Sequence, residues 1–417
     1  MKNLQDTLLL LNQKPKPSNI SKMTIVIHNG THTTIAGFSN RDLPQVVCPS
    51  SYLQRNDGTF LFGYNEMMLA EEGAVYTILD DQGVPYNWDA LAAQWRWILE
   101  DQLQANPEEQ ALVVTVAPDI SETARTQYLK LALETLKVPV FQMVLEPLAV
   151  ALSLGRNTAL VVDIGAAKST VTPIVDGSVL KSAVTRSRFA GNFLDFQVNE
   201  LVSAKRDASE SSTVSSLDVW RDSASWIKDF KAYMLQVSPS KLQELEAMNL
   251  DVMGMNYIRN FLYKKRQTLS FTQKECCQVA EYLFQPHLAS SHYPPGEGLT
   301  EIVGTAVKKA GASSSMGSST STNVVSPEQI HNTLLTNIVI TGSTSLLPGL
   351  EQRVVNELRY QFPQYKLSSF ANPLVLDRKL QSWHGGVTMA NLPSWDLGEW
   401  TSRNSYKQES ANGSSTK

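Results

Sequence analysis

The chain has 417 residues, with 40 acidic against 36 basic side chains and a net charge of −4. Dispersed charge of that sign excludes an electrostatic footprint for direct nucleic-acid binding, and no apolar run approaches the ~20 residues that cross a bilayer. The length exceeds what one hydrophobic core supports, so two lobes are expected. The three cysteines (Cys48, Cys276 and Cys277) lack metal-ligand spacing, and neighbouring cysteines rarely bridge, which points to a soluble protein of a reducing, intracellular compartment.

Residues 1–22 are polar, carry Pro15 and Pro17, and read as a flexible tail. Their run Leu8 to Leu11 is too short for a signal-peptide core. Ile25 to Ile27 then form an apolar strand that meets Asn29-Gly30, a dipeptide favouring a tight two-residue hairpin, and a Thr-rich second strand leads to Phe38. Val46 to Tyr52 reads as a further strand, followed by a short loop from Gln54 to Gly63. Trp88, Leu91, Trp95, Ile98 and Leu99 recur at helical spacing behind Asn87 as cap, a stripe better suited to core packing than to a ligand. Ala111 to Val116 predicts a buried strand. A helix follows from Ser121 with Ala124, Tyr128, Leu131 and Leu136 on one face, then a strand over Val138 to Leu145 and a helix opened by Glu146-Pro147. This alternation signals α/β layers.

The opening plan recurs at Ala159 to Ile174, where Asp163 and Gly165 answer His28 and Gly30. Two ordinary hairpins would carry the same pattern. Facing each other, they would aim backbone N–H groups at one polyphosphate. Beyond them, Phe189 to Leu201 and Trp220 to Leu250 read as largely helical, and 203–216 and 311–325 read as flexible insertions. Ser326-Pro327 starts a helix, Asn337 to Ser345 is a buried strand running into a small-residue turn, and 401–417 reads as a disordered tail.

These stretches together resemble the actin family. Its first loop reads Asp-Asn-Gly-Ser-Gly, followed shortly by Lys-Ala-Gly-Phe; here Asn29, Gly30, Ala36, Gly37 and Phe38 match. Its second loop is met by Asp163, Gly165 and Pro173. Asn87-Trp88-Asp89, Pro107-Glu108-Glu109, Ala190-Gly191, Pro348-Gly349 and Trp383 with Gly385-Gly386 match in order, covering roughly Met23 to Trp400. The resemblance implies a two-lobed α/β fold of the actin, Hsp70 and sugar-kinase kind, with a duplicated hairpin-plus-helix core around a nucleotide cleft. It divides the chain into a first lobe (23–155) and a second lobe (156–400), with a return of about 378–400 to the first.

It also implies an ATP site formed by Asn29, Gly30, Thr31, Asp163, Gly165, Gly191, Gly342, Ser343 and Thr344. Six family positions are altered together: the first-loop Asp is His28, the next Gly His32, the phosphate-binding Lys Ile35, the second-loop Asp Ala166, the catalytic His Thr170 and the water-positioning Gln Glu146. Such a set reads as dismantled catalysis, with ATP bound weakly, structurally or only with a partner's help, and with no catalytic or metal-ligating residues assigned. His28 is expected as a structural imidazole that, if protonated, would restore some positive charge, and Lys168 as a solvated lysine.

Within the family the likeness is to the nuclear actin-related subunits of yeast-type SWI/SNF and RSC chromatin remodelling complexes. It implies pairing with another actin-related protein (actin-related protein 9 is expected), a helical segment of the Snf2-type motor ATPase as a second partner, and contacts with other remodeller subunits. Nucleic acid and membrane are not expected partners. A weak ATPase using Glu146 and Asp163, or a cytoskeletal subunit, are the alternatives; the short Gln54–Gly63 loop speaks against the second.

Overall fold

The computed structural model describes residues 23–206, 215–248, 254–316, 326–392 and 400–413. The expected tail 1–22, most of the 203–216 insertion and residues 317–325 of the second insertion lie outside them.

Two sheets built to one plan organise the molecule. The first-lobe strands are β1 (Thr24–Asn29), β2 (Thr33–Phe38), β3 (Val46–Pro49), β4 (Ser51–Gln54), β5 (Phe60–Leu61), β6 (Ala74–Thr77), β7 (Ala111–Val116) and β8 (Val140–Leu145). The second half supplies β9 (Ala159–Ile164), β10 (Ser169–Val175), β11 (Ser178–Val179), β12 (Thr185–Ser187), β13 (Ile258–Tyr263), β14 (Gln267–Thr272), β15 (Ile338–Thr341), β16 (Ser369–Ala371) and β17 (Thr401–Ser402). The first sheet has the order β17-β8-β7-β1-β2-β3, and the second β11-β10-β9-β15-β16 with β12 also on β10. In each, an antiparallel hairpin (β1–β2, β9–β10) continues on its first-strand side into two parallel strands (β7 and β8, β15 and β16). The central strands are buried on both faces, which explains their nearly unbroken apolar runs.

Helices cover both sheets as the apolar spacing requires. Asn87 accepts from the N–H groups of Asp89 and Ala90 at 3.0 and 3.1 Å to start the helix Trp88–Arg96. Leu91, Trp95, Ile98 and Leu99 of that stripe are buried in the first core. Ser121 caps the helix Glu122–Lys130, and Ala124, Tyr128, Leu131 and Leu136 are all buried. Ser326 opens the helix Pro327–Leu335 through a capping box with Gln329. The helix Val375–Ala390 packs back on the first sheet, where Trp383 is fully buried and donates its Nε1–H to the Val26 carbonyl at 3.2 Å.

Several expectations change. Val46 to Tyr52 is not one strand: the chain leaves the main sheet at Ser50, and β4 pairs with β5 and β6 in a small separate sheet. The polar 401–417 segment is ordered in its described part, because β17 satisfies the open edge of β8 and Arg403 bonds the Pro139 and Lys137 carbonyls ahead of the helix Arg403–Gly413. Gly311 to Met316 continue the helix Leu299–Met316 instead of opening a loop. A Cβ on Gly311 would lie 2.3 Å from His331 Nε2, so glycine serves close helix packing there. Likewise Ser203 ends the helix Gly191–Ser203, and Ser215 caps the next one.

Candidate functional site

The two hairpins meet over a cavity of about 500 Å³ between the lobes. Neither turn is the tight two-residue kind. Asn29 pairs with Thr34 and Ile164 with Ser169, so each loop spans four residues. Each closes identically, Gly30 N–H to Thr33 O and Gly165 N–H to Lys168 O, both at 3.1 Å. The loops touch through the Ala167 N–H, which donates to Thr31 Oγ1 at 3.3 Å.

The expected nucleotide residues come together around this cavity. Several are already engaged. Gly191 N–H donates to Gly165 O at 3.1 Å, Asn192 N–H to Ala166 O at 2.7 Å, and the Thr344 hydroxyl to Gly165 O at 2.7 Å. A Cβ on Gly191 would fall 2.8 Å from that hydroxyl. Gly342 has φ +88°, and a Cβ there would lie 2.3 Å from Asp163 Oδ1 and 2.4 Å from Ile164 O. These glycines therefore weld β15 and the helix Gly191–Ser203 to the second hairpin. The Asn29 amide is also occupied: it accepts the Trp95 indole N–H at 2.8 Å and donates to Thr34 Oγ1 at 2.9 Å. Ser343 opens the 3₁₀ turn that carries Thr344.

At the inner end of the cavity, His28 Nδ1 lies 2.8 Å from Thr115 Oγ1 and His28 Nε2 lies 3.6 Å from Glu146 Oε1, which also accepts from the Ser382 hydroxyl at 3.2 Å. Burial lowers the His28 pKa to about 4, so the imidazole is structural and neutral and supplies no replacement cation at physiological pH. Burial, then the neighbouring Glu146, push Asp163 up to about 7; burial also raises Glu146. The two acids repel, and at neutral pH they hold fewer than two full charges between them. Ile35, at the position of the family's lysine, is 4 % exposed and packs with Val26, Val113, Val144 and Trp383.

Cations lie elsewhere. Lys168 is not a solvated lysine: its Nζ donates to the Gln82 carbonyl across the cleft at 2.6 Å, and burial lowers its pKa. Lys228, Lys231 and Lys379 line the cavity, close enough to His32 of the first loop that burial and then their charges lower its pKa. Lys231 pairs with Asp195, while burial and then Lys228 depress Lys379. No local motif marks these three, which stand on helices some 150 positions apart in the chain.

A duplicated hairpin core closing on an interlobe cavity defines the actin class of fold, and the chain belongs to the actin family, matching it over residues 20–413. It is an actin-related protein similar to actin-related protein 7 of Saccharomyces cerevisiae, with 44 % identity over 93 % of this chain and 96 % of the relative. More distant relatives are actin-related protein 4 of Schizosaccharomyces pombe, 27 % identical over 92 % of this chain and 94 % of that protein, and the SWI/SNF and RSC complexes subunit arp42 of the same yeast, 25 % identical over 92 % and 96 %.

Proposed function

We propose that this protein is a non-catalytic, structural subunit of a nuclear ATP-dependent chromatin remodelling complex. In this reading it pairs with another actin-related protein, actin-related protein 9 being the expected partner, and receives a helical segment of the Snf2-type motor ATPase. ATP turnover belongs to the motor. Similarity to actin-related protein 7 along nearly the whole chain supports the context, and the naming of a further relative as a SWI/SNF and RSC subunit agrees with it.

The observation that carries the non-catalytic part is the inner end of the cavity. Phosphoryl transfer needs charge neutralised on the terminal phosphate and a water held in line. Here buried Ile35 and neutral His28 stand at that end beside two mutually repelling acids. Nucleotide binding is compatible with the rest: Lys228, Lys231 and Lys379 line the same cavity, and with the Gly30, Gly165 and Ala167 N–H groups already engaged, those of Thr31, His32 and Ala166 would be the phosphate donors. ATP is thus a structural ligand in this proposal, held without turnover.

Two measurements test it. Affinity capture of the full-length protein from nuclear extract should bring down a second actin-related protein and a Snf2-type ATPase. Single-turnover assays of the isolated chain should give no hydrolysis above background. Magnesium-dependent hydrolysis lost in Glu146→Gln or Asp163→Asn would overturn the reading and restore the weak ATPase.

A further inference from the structure

The geometry points to a latch, made by protein alone, that ties the two lips of the cleft and sets the rate at which anything enters or leaves the cavity. The helix Ser216–Asp222 forms its second-lobe half. Ser215 starts that helix with a capping box: its hydroxyl accepts the Asp218 N–H at 3.1 Å while Asp218 Oδ2 accepts the Ser215 N–H at 3.3 Å. Leu217, Trp220 and Arg221 then follow at the spacing that places them on one face.

That face meets the first lobe. Leu217 is 3 % exposed and shares an apolar cluster with Leu53 and Met67, with Leu61, Val75 and Trp220 packed around it. The Trp220 ring lies 5.8 Å from Tyr64, whose hydroxyl donates to the Ala224 carbonyl at 3.2 Å. The Arg221 guanidinium donates to the Met68 carbonyl at 3.0 Å and to the Ala70 carbonyl, covering the exposed C-terminal carbonyls of the helix Tyr64–Leu69. Val75 N–H donates to Ser216 Oγ at 2.9 Å. Nearer the loops, Lys168 binds the Gln82 carbonyl and Arg186 pairs with Asp119, again lobe to lobe.

The latch is coupled to the cavity through one run of helix. Ser216–Asp222 passes through a π-helical stretch, Ser223–Ile227, into the helix Lys228–Met234, which carries Lys228 and Lys231 into the cavity. The latch and the two cations thus share one continuous helical run, with Lys231 anchored at its cavity end by Asp195. In this chain closure does not depend on a phosphate bridging the two loops, because apolar packing and backbone-directed hydrogen bonds already join the lobes at the cleft mouth.

Only the exchange readout of the test rests on the proposed nucleotide site. In the full-length chain stripped of nucleotide, Val75→Cys with Ser216→Cys should join efficiently through a short bis-maleimide. The native thiols will not compete, since burial raises Cys48 to about 12 and Cys276 and Cys277 to about 11. Leu217→Ser with Arg221→Ala should abolish that crosslink and enlarge the radius of gyration in solution scattering. Arg221→Ala alone, at a partly exposed site, should do so in part while keeping the circular dichroism of the folded chain. A fluorescent adenine nucleotide should leave the double variant about ten-fold faster or more. Crosslinking that appeared only after nucleotide was added, or latch variants with unchanged radius and unchanged crosslinking, would overturn the latch. Failure of the wild-type chain to bind the nucleotide would count against the proposed ATP site, with the crosslink and the scattering still deciding the latch.

Discussion

The two hairpins share topology, loop length and the closing hydrogen bond, yet they hold different things. The first has become core: Asn29 is tied to Trp95, His28 is neutral between Thr115 and Glu146, and Ile35 packs among apolar side chains. The second remains polar, with Asp163, Lys168 and the Thr344 hydroxyl around Gly165. A duplicated scaffold thus survives with one half relieved of its charge, because backbone pairing fixes the loops whatever the side chains do. The glycines under the second hairpin belong to that scaffold as much as to any ligand.

The harshest way to break the contrast is to restore the family's cation. Ile35→Lys would bury an ammonium among Val26, Val113 and Trp383, and we expect about 3–5 kcal/mol of lost stability by chemical denaturation. A variant of unchanged stability with gained ATP affinity would show that the first hairpin still accepts a phosphate-binding cation. Next comes Gly342→Ala, which forces a side chain onto the Ile164 carbonyl at positive φ; about 2–3 kcal/mol should be lost, with no comparable effect from Gly177→Ala, where a Cβ meets nothing within 4 Å and only the backbone strain remains.

A smaller effect should carry the opposite sign and depend on pH. Asp163 has its pKa raised to about 7 in the fold, so its contribution is favourable below its ordinary range near 4 and is lost as pH rises to about 7. His28, lowered to about 4, acts the other way: the folded state gains stability as pH climbs from about 4 to about 6.5. The two trends oppose each other across that span, and above it only the Asp163 loss remains. Asp163→Asn should therefore raise stability at pH 8 by on the order of 2 kcal/mol and change little at pH 4. Equal melting shifts at both pH values would refute a raised Asp163 pKa. The mildest test is Ser382→Ala, which removes one hydroxyl from Glu146 beside the first hairpin and should cost about 1 kcal/mol by chemical denaturation.

What the sequence determined by itself is the repeated framework. Apolar runs at Ile25–Ile27, Ala111–Val116 and Ala159–Ile164, the caps Asn87, Ser121 and Ser326, and Pro147 at a helix start all report local constraints, so they appear in the structure where their spacing puts them. The substitutions at Ile35 and Thr170 were equally legible once the chain was set against the actin family's motifs, since they are plain identities at matched positions. Tertiary structure alone decided the rest. Whether Gly311 is a loop or a packing contact depends on His331, and whether the segment after Trp400 is ordered depends on a vacant edge of β8. Lys228, Lys231 and Lys379 converge only because helices far apart in sequence line one cavity. The charge states of His28 and Asp163 follow from desolvation, which is a property of everything packed around a residue and is written in no neighbourhood of the chain.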